Sequence, residues 1–257
     1  MRVVSISVNG LEKAIADGFF KWLAKQDADV VCVQDHRAKA ADFDDPRFIP
    51  EGYEAYFIDA ENPADGGVGV YTRQFPKAIM YGFAYEPADR EGRYIQADFD
   101  DVSVASVLVP SALEAPERQA DKDAFMEAFM QHLQKTVRKR RQYIICGNFQ
   151  TVHLVTDASP RYHKLEVSGF LPHERDWMDE IFETLGYTDA FRYINKEGNQ
   201  YTWWPSVLSG SRRHAGWRTD YQILTPGIRK TIENAYIDPD TRFCDHAPVV
   251  VDYDIGN

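Results

Sequence analysis

Tyr143-Ile144-Ile145-Cys146-Gly147-Asn148-Phe149-Gln150-Thr151-Val152 is the stretch on which the reading of this sequence turns. Tyr143 to Cys146 form a short apolar run, the pattern of a fully buried strand. Gly147 is read as a sharp turn at the end of that strand. Asn148 and Gln150 then fall at its tip, where α/β folds place their chemistry. A carboxylate there could bind a metal or take a proton from water; an amide does neither well. Two amides and no acid pose the question that the rest of the chain must answer.

Working outward, "ERQADKDAFMEAFMQHLQKTVRKR" predicts a long amphipathic helix leading into this strand. "RVVSISV" alternates as a strand, and Leu11, Ile15, Phe19, Trp22 and Leu23 recur at helical spacing as one apolar face. "ADVVCVQD" is a short buried strand ending in an acid. "YEAYFID", "GVGVYTR", "RYIQADF" and "VSVASVLV" follow as a largely antiparallel series with turn residues between them. "HERDWMDEIFETLG" predicts a helix stopped by Gly186, and further strands fall at "TDYQILT", "KTIENAYI" and "APVVVDYD". Many strands and few helices suit two packed, mainly antiparallel β-sheets flanked by helices. No composition shift or linker divides the chain, so residues 1–257 are expected to form one domain.

The 257 residues are 44% hydrophobic and 27% charged, an ordinary globular composition. No apolar run approaches the roughly 18–20 residues of a membrane span, and "MRVVSISVNG" is a strand pattern and not a leader peptide. Cys32, Cys146 and Cys244 are widely spaced, which suits free thiols in a reducing cytoplasm. A net charge of −11 argues against whole-surface adhesion to nucleic acid. Two local basic clusters stand out, Arg138, Lys139, Arg140 and Arg141 in "KTVRKRR", and Arg212 and Arg213 in "SRRH". A solvated helix end whose cations favour the helix dipole also accounts for the first.

Nine segments in register resemble the exonuclease III branch of the endonuclease/exonuclease/phosphatase superfamily: "SISVNGL", "VVCVQDHRA", "GGVGVYTR", "GRYIQADF", "IICGNFQ", "GFLPHERDWMDEIFETLGYTDAFR", "YTWW", "GWRTDYQILTPG" and "RFCDHAPVVVDYD". The resemblance implies a four-layer α/β sandwich whose active site sits at one end, among strand tips. It also implies Mg²⁺-dependent phosphodiester cleavage. Mg²⁺ takes hard oxygen ligands, and phosphoryl transfer requires charge to be neutralised on the non-bridging oxygens.

Carried over residue by residue, the family's constellation is incomplete. Asp35 stands for the metal-binding Glu, one methylene shorter. Ser7 replaces the first Asn of S-F-N-x-N-G, whereas Asn9 keeps the second. Leu108 of "LVPS" replaces a Tyr, and Asn148 and Gln150 replace the Asp and Asn of G-D-x-N. Asp220, Asp245 and His246 stand intact. Loss of a positioned base costs about 10²–10⁴ in rate, and loss of a donor to the transition state about 10²–10³; such penalties need not multiply. Asp35 and Asp245 remain candidates for weak Mg²⁺ binding. A buried hydrogen-bonded pair orienting two loops would also account for Asp220 and His246.

Within this branch, "GRYIQADFD", "RKRRQYIICG", "SGFLPHERDWMDEIF", "EGNQYTWWP", "DYQILTPGIRK" and "VVDYDI" are most similar to the Crc (catabolite repression control) family. That resemblance implies a cytoplasmic, non-catalytic regulator without a cofactor, which joins the RNA chaperone Hfq on A-rich single-stranded RNA and blocks translation. The basic clusters are then expected to supply the RNA contacts. The other reading is an exonuclease III-like or abasic-site nuclease of reduced activity, and Asp245 is the residue that departs from the Crc pattern towards it.

Overall fold

The computed structural model describes residues 1–204, 215–241 and 243–255. Its strands are β1 (Arg2–Ser7), β2 (Val30–Gln34), β3 (Glu54–Ile58), β4 (Val68–Thr72), β5 (Ala78–Tyr81) and β6 (Tyr94–Asp98), followed by β7 (Val102–Leu108), β8 (Gln142–Asn148), β9 (Thr188–Asp189), β10 (Asp220–Leu224), β11 (Ile232–Ile237) and β12 (Val249–Tyr253). The helices are α1 (Leu11–Ala16), α2 (Phe19–Leu23), α3 (Glu86–Arg90), α4 (Gln119–Val137), α5 (Pro172–Asp179) and α6 (Ala190–Ile194).

The strands form two six-stranded sheets, ordered β11-β12-β1-β2-β4-β3 and β5-β6-β7-β8-β10-β9. Each sheet has one parallel pair at its centre, β1 with β2 and β7 with β8. The other neighbours are antiparallel. A parallel pair needs a crossover; α1 and α2 make one and α4 the other.

Strand alternation builds the layers. Val3, Val30, Cys32 and Val70 of one sheet meet Ile95, Val104, Ile144 and Cys146 of the other. Their sequence neighbours Val4, Val31 and Val33 face α1 and α2, through Leu11, Phe19 and Leu23. Ile145 and Tyr143 face Phe125, Phe129 and Leu133 of α4. The result is the expected four-layer sandwich with helices outside. Cys32, Cys146 and Cys244 are free thiols, the first two buried. Among the described residues, no helix is long and apolar enough to cross a membrane.

Four local expectations need correction. Gly147 does not turn the chain; it lies inside β8 beside Val107 of β7. A Cβ there would stand 2.1 Å from the Val107 carbonyl oxygen, so the residue is glycine for close strand approach. The turn comes at Gln150, with φ at 50°. The apolar face from Leu11 to Leu23 is present, but two helices share it, because Gly18 adopts φ 109° between them. The helix in "HERDWMDEIFETLG" is regular only to Asp179, then widens over Glu180–Thr184 before Gly186 stops it at φ 76°. β5 was not expected at all, since its Ala78, Met80 and Tyr81 are exposed on a sheet edge and leave no buried alternation to read.

Candidate functional site

The C-terminal tips of β1, β2, β7 and β8 meet at one end of the sandwich. Val8 and Gly10 donate backbone hydrogen bonds to Gln34 and Asp35, at 2.9 Å each, and β10 begins there with Asp220 opposite Asn148. Four of the seven non-glycine residues with positive φ among the described residues are Asn9, Asp35, Arg37 and Gln150. Such left-handed backbone costs about 1–3 kcal/mol per residue and collects where function dictates side-chain direction.

A buried polar seam between the sheets leads to this end. Gln34 donates to Ser106 Oγ at 2.9 Å, and Ser106 Oγ donates to the Val33 carbonyl at 3.0 Å. At its head, Asn148 is 1% exposed. Its Nδ2 lies 3.5 Å from Ser7 Oγ, and its Oδ1 accepts the Gln150 backbone N–H at 2.9 Å. Ser7 and Asn148, two of the positions expected to depart from the family pattern, thus touch each other. Below the turn, the buried Lys122 ammonium donates to the Gln150 carbonyl at 2.8 Å and pairs with the buried Glu174 at 2.7 Å.

Asp220 and His246 form the expected pair, with Asp220 Oδ2 2.8 Å from His246 Nδ1. Burial pulls the His246 pKa down, but Asp220, then Asp245 and Asp35, more than offset it and hold the pKa above the ordinary value. Trp203 stacks on the imidazole at 5.8 Å and donates its Nε1–H to Asp245 Oδ2 at 3.0 Å. Asn9 donates to Asp245 Oδ1 at 3.3 Å. Burial raises the Asp245 pKa, yet His246, Trp203 and Asn9 outweigh it and keep the carboxyl below its usual range. Asn9, Asp220, Asp245 and His246 are therefore joined by contacts along one edge of the site.

Opposite lies a cleft of about 240 Å³ lined by Asp35, Arg37, Arg93, Leu108, Arg118 and Gln150, among others. Leu108 is buried and packs over Gly66, where a Cβ would come within 2.5 Å of Leu108 Cδ2. Arg37 grips Asp35 with two bonds of 2.9 Å, Nε to Oδ1 and a terminal nitrogen to Oδ2. Arg93 donates to the Leu108 carbonyl at 3.3 Å, and Arg118 pairs with Glu91 at 3.0 Å. These three arginines were not anticipated. Arg37 follows the Asp35 motif directly and was open to notice, whereas the folding of distant segments alone brings Arg93 and Arg118 beside it.

The first basic cluster is elsewhere. Arg138, Lys139 and Arg140 are exposed between α4 and the start of β8. The site is at the other end of that strand, about 20 Å away for seven residues at a normal rise. Lys139 lies 5.4 Å over the Tyr143 ring. Arg141 is not an open contact residue: it donates to Ser103 Oγ at 2.5 Å and to the Val102 carbonyl at 3.1 Å, tying β8 to the β6–β7 turn. Arg212 and Arg213 lie outside the described residues.

Comparison with known proteins gives this arrangement its context. The endonuclease/exonuclease/phosphatase family matches residues 8–242. The chain belongs to this family. It is 31% identical to an exodeoxyribonuclease of Bacillus subtilis (strain 168), over 97% of this chain and 98% of that protein. It is 28% identical to a DNA-(apurinic or apyrimidinic site) endonuclease of Dictyostelium discoideum, over 100% of this chain and 71% of that one. An AP endonuclease structure from Archaeoglobus fulgidus superimposes with a TM-score of 0.85 at 25% identity, over 99% and 100% of the two chains. A 3'-5' exonuclease from Neisseria meningitidis shares the fold, with a TM-score of 0.88 at 22% identity over 99% and 100%.

The divalent metal associated with this family fits the site poorly. Mg²⁺ needs several free, hard oxygen ligands. Both Asp35 oxygens accept from Arg37, and both Asp245 oxygens accept from Asn9 and Trp203. Among the described residues, no three acidic, His or Cys side chains group to hold an ion. What the chain's own residues do offer is the positive charge of Arg37, beside a His246 whose pKa is held above its ordinary value.

Proposed function

We propose that this chain is a non-hydrolytic member of the family, a post-transcriptional regulator of the Crc type that acts with Hfq on A-rich single-stranded RNA. The observation that carries the reading is Asn148. It occupies the place where a carboxylate would activate water, its Oδ1 is already engaged by the Gln150 N–H, and an amide has no useful proton affinity near neutral pH. At the same end Leu108 lacks the hydroxyl of a tyrosine, and Ser7 offers a short hydroxyl in place of an amide. Meanwhile the scaffold around them is intact, which supports a binding role for a fold no longer required to cleave.

The test is cleavage of an abasic-site DNA duplex with Mg²⁺. The expected rate is at least about 10³-fold below that of a family nuclease with all its groups, following from the lost base and donor. Metal-dependent product that disappears in His246→Ala would overturn the reading.

For the partner, a pulldown of Hfq by this chain is expected only when an A-rich RNA is present. Replacing Arg138, Lys139 and Arg140 together by alanine should weaken the assembly and lower its salt dependence by roughly 0.7 log units per lost phosphate contact. Arg141 is left unchanged because its tether to Ser103 would confuse the result. Equal RNA binding by the isolated chain, or no effect of the triple change, would count against the proposal.

A second reading is a Mg²⁺-dependent nuclease of reduced activity. The Bacillus relative named an exodeoxyribonuclease favours it, as does the survival of Asn9, Asp220, Asp245 and His246. The cleavage assay separates the two.

A further inference from the structure

The poor fit between the carboxylates and a divalent ion has a specific cause in Arg37. Both its partners and its backbone hold it in place. Asp35 and Arg37 sit at φ 55° and 54°, so the chain folds back on itself between them. The Arg37 N–H donates to the Gly66 carbonyl at 2.9 Å, and the His36 N–H to Gly67 at 3.2 Å. The guanidinium thereby meets both oxygens of Asp35 in the planar, two-bond geometry that suits arginine and a carboxylate. Burial lowers the Arg37 pKa, but the Asp35 hydrogen bonds and the charges of Asp35, Asp245 and Glu114 raise it further, so the group stays cationic.

We propose that Arg37 takes the place of a divalent metal: it neutralises Asp35 and repels the ion, so the carboxylate is closed by a guanidinium of its own chain. The inference deepens the non-hydrolytic reading and rests on it. Two features point the same way. Asp35 has no oxygen without a donor from Arg37. The other candidate carboxylate, Asp245, is likewise held by two donors from its own chain.

The expected size follows from charge. Arg37 is 47% exposed and Asp35 18%, so solvent screens the pair and its own strength is modest. A divalent ion at Asp35 must break two charge-assisted bonds and also approach a guanidinium within a few ångströms. Removing that cation should therefore tighten metal binding by about 10-fold or more.

The experiment titrates the full chain with Mn²⁺, following free ion by electron paramagnetic resonance, with no nucleic acid present. Arg37→Gln is expected to bind Mn²⁺ at least about 10-fold more tightly than the unmodified chain. Arg37→Lys keeps the charge and should stay within a few-fold of it. Arg37→Gln combined with Asp35→Asn should lose the gain, which places the ion at Asp35. Tight Mn²⁺ binding by the unmodified chain, or unchanged or weaker binding in Arg37→Gln, overturns the proposal. The first of those outcomes decides the matter even if Arg37→Gln fails to fold. Cleavage is read separately: a metal-binding Arg37→Gln that still does not hydrolyse supports both inferences. Cleavage by the unmodified chain overturns the non-hydrolytic reading whatever the Mn²⁺ titration shows.

Discussion

Lys122→Met should lower the free energy of unfolding by about 3–5 kcal/mol, because it strands one half of a buried ion pair. Lys122 and Glu174 have no exposed side-chain surface and lie 2.7 Å apart. Methionine fills the space of the lysine stem but offers no donor. Glu174 would keep its bonds from the Gly169 and Leu171 N–H groups, at 2.7 and 3.0 Å, yet its charge would have no counter-charge in a medium that screens poorly. The Gln150 carbonyl would lose its 2.8 Å donor at the same moment, so the left-handed turn beside Asn148 should loosen. Urea unfolding at pH 7 measures the first effect, and amide exchange at residues 149–152 the second. A loss under about 1 kcal/mol would show that the pair is dispensable.

Acid should destabilise the fold strongly, and His36 is one of the groups responsible. Its ring is 1% exposed. Nδ1 accepts the Ala38 N–H at 3.1 Å, so it carries no proton, and Nε2–H donates to the Ile58 carbonyl at 3.0 Å. Both nitrogens are satisfied only in the neutral form. Burial, opposed by the Ile58 bond and nearby acids, lowers the pKa to about 4. An unfolded histidine titrates near 6.5, so between those values the unfolded chain holds more protons. Stability from this group is present above about pH 6.5 and lost as pH falls towards 4, by about 3 kcal/mol in all.

His132 is also lowered to about 4, first by burial and then by Lys139 and Lys135, and acts in the same direction. His246 opposes them. Its raised pKa gives stability that is complete below its unfolded value and fades as pH rises through the folded one. Urea midpoints at pH 7, 5.5 and 4.5 should fall steeply, and His36→Phe should flatten that fall. An identical slope in the variant would remove His36 from the account.

Much of the architecture was legible in the chain because periodicity records burial directly. Val3 and Val4, or Ile144 and Ile145, point to opposite faces of a sheet, and both faces are covered here. The long helix ending near Arg138 was visible for the same reason. β5 was not, because an exposed edge strand has no buried face to mark it. Gly18 and Gly147 were harder, since a glycine in a sequence does not say whether it serves a left-handed turn or a close strand approach. At the site, the tyrosine expected at Leu108 came only from the family resemblance, whereas the amides Asn148 and Gln150 were plain from residue type.

Their consequences were not, because they depend on which strand tips meet. The sequence by itself determined a two-sheet sandwich, and its family resemblance pointed to a depleted catalytic set. Only tertiary structure decided that Asn148 lies against Ser7, that Arg141 is a tether, and that Arg37 closes Asp35. The reason is physical: burial patterns are set by each segment's own period, whereas a hydrogen bond between side chains is set by the relative placement of segments far apart in the chain.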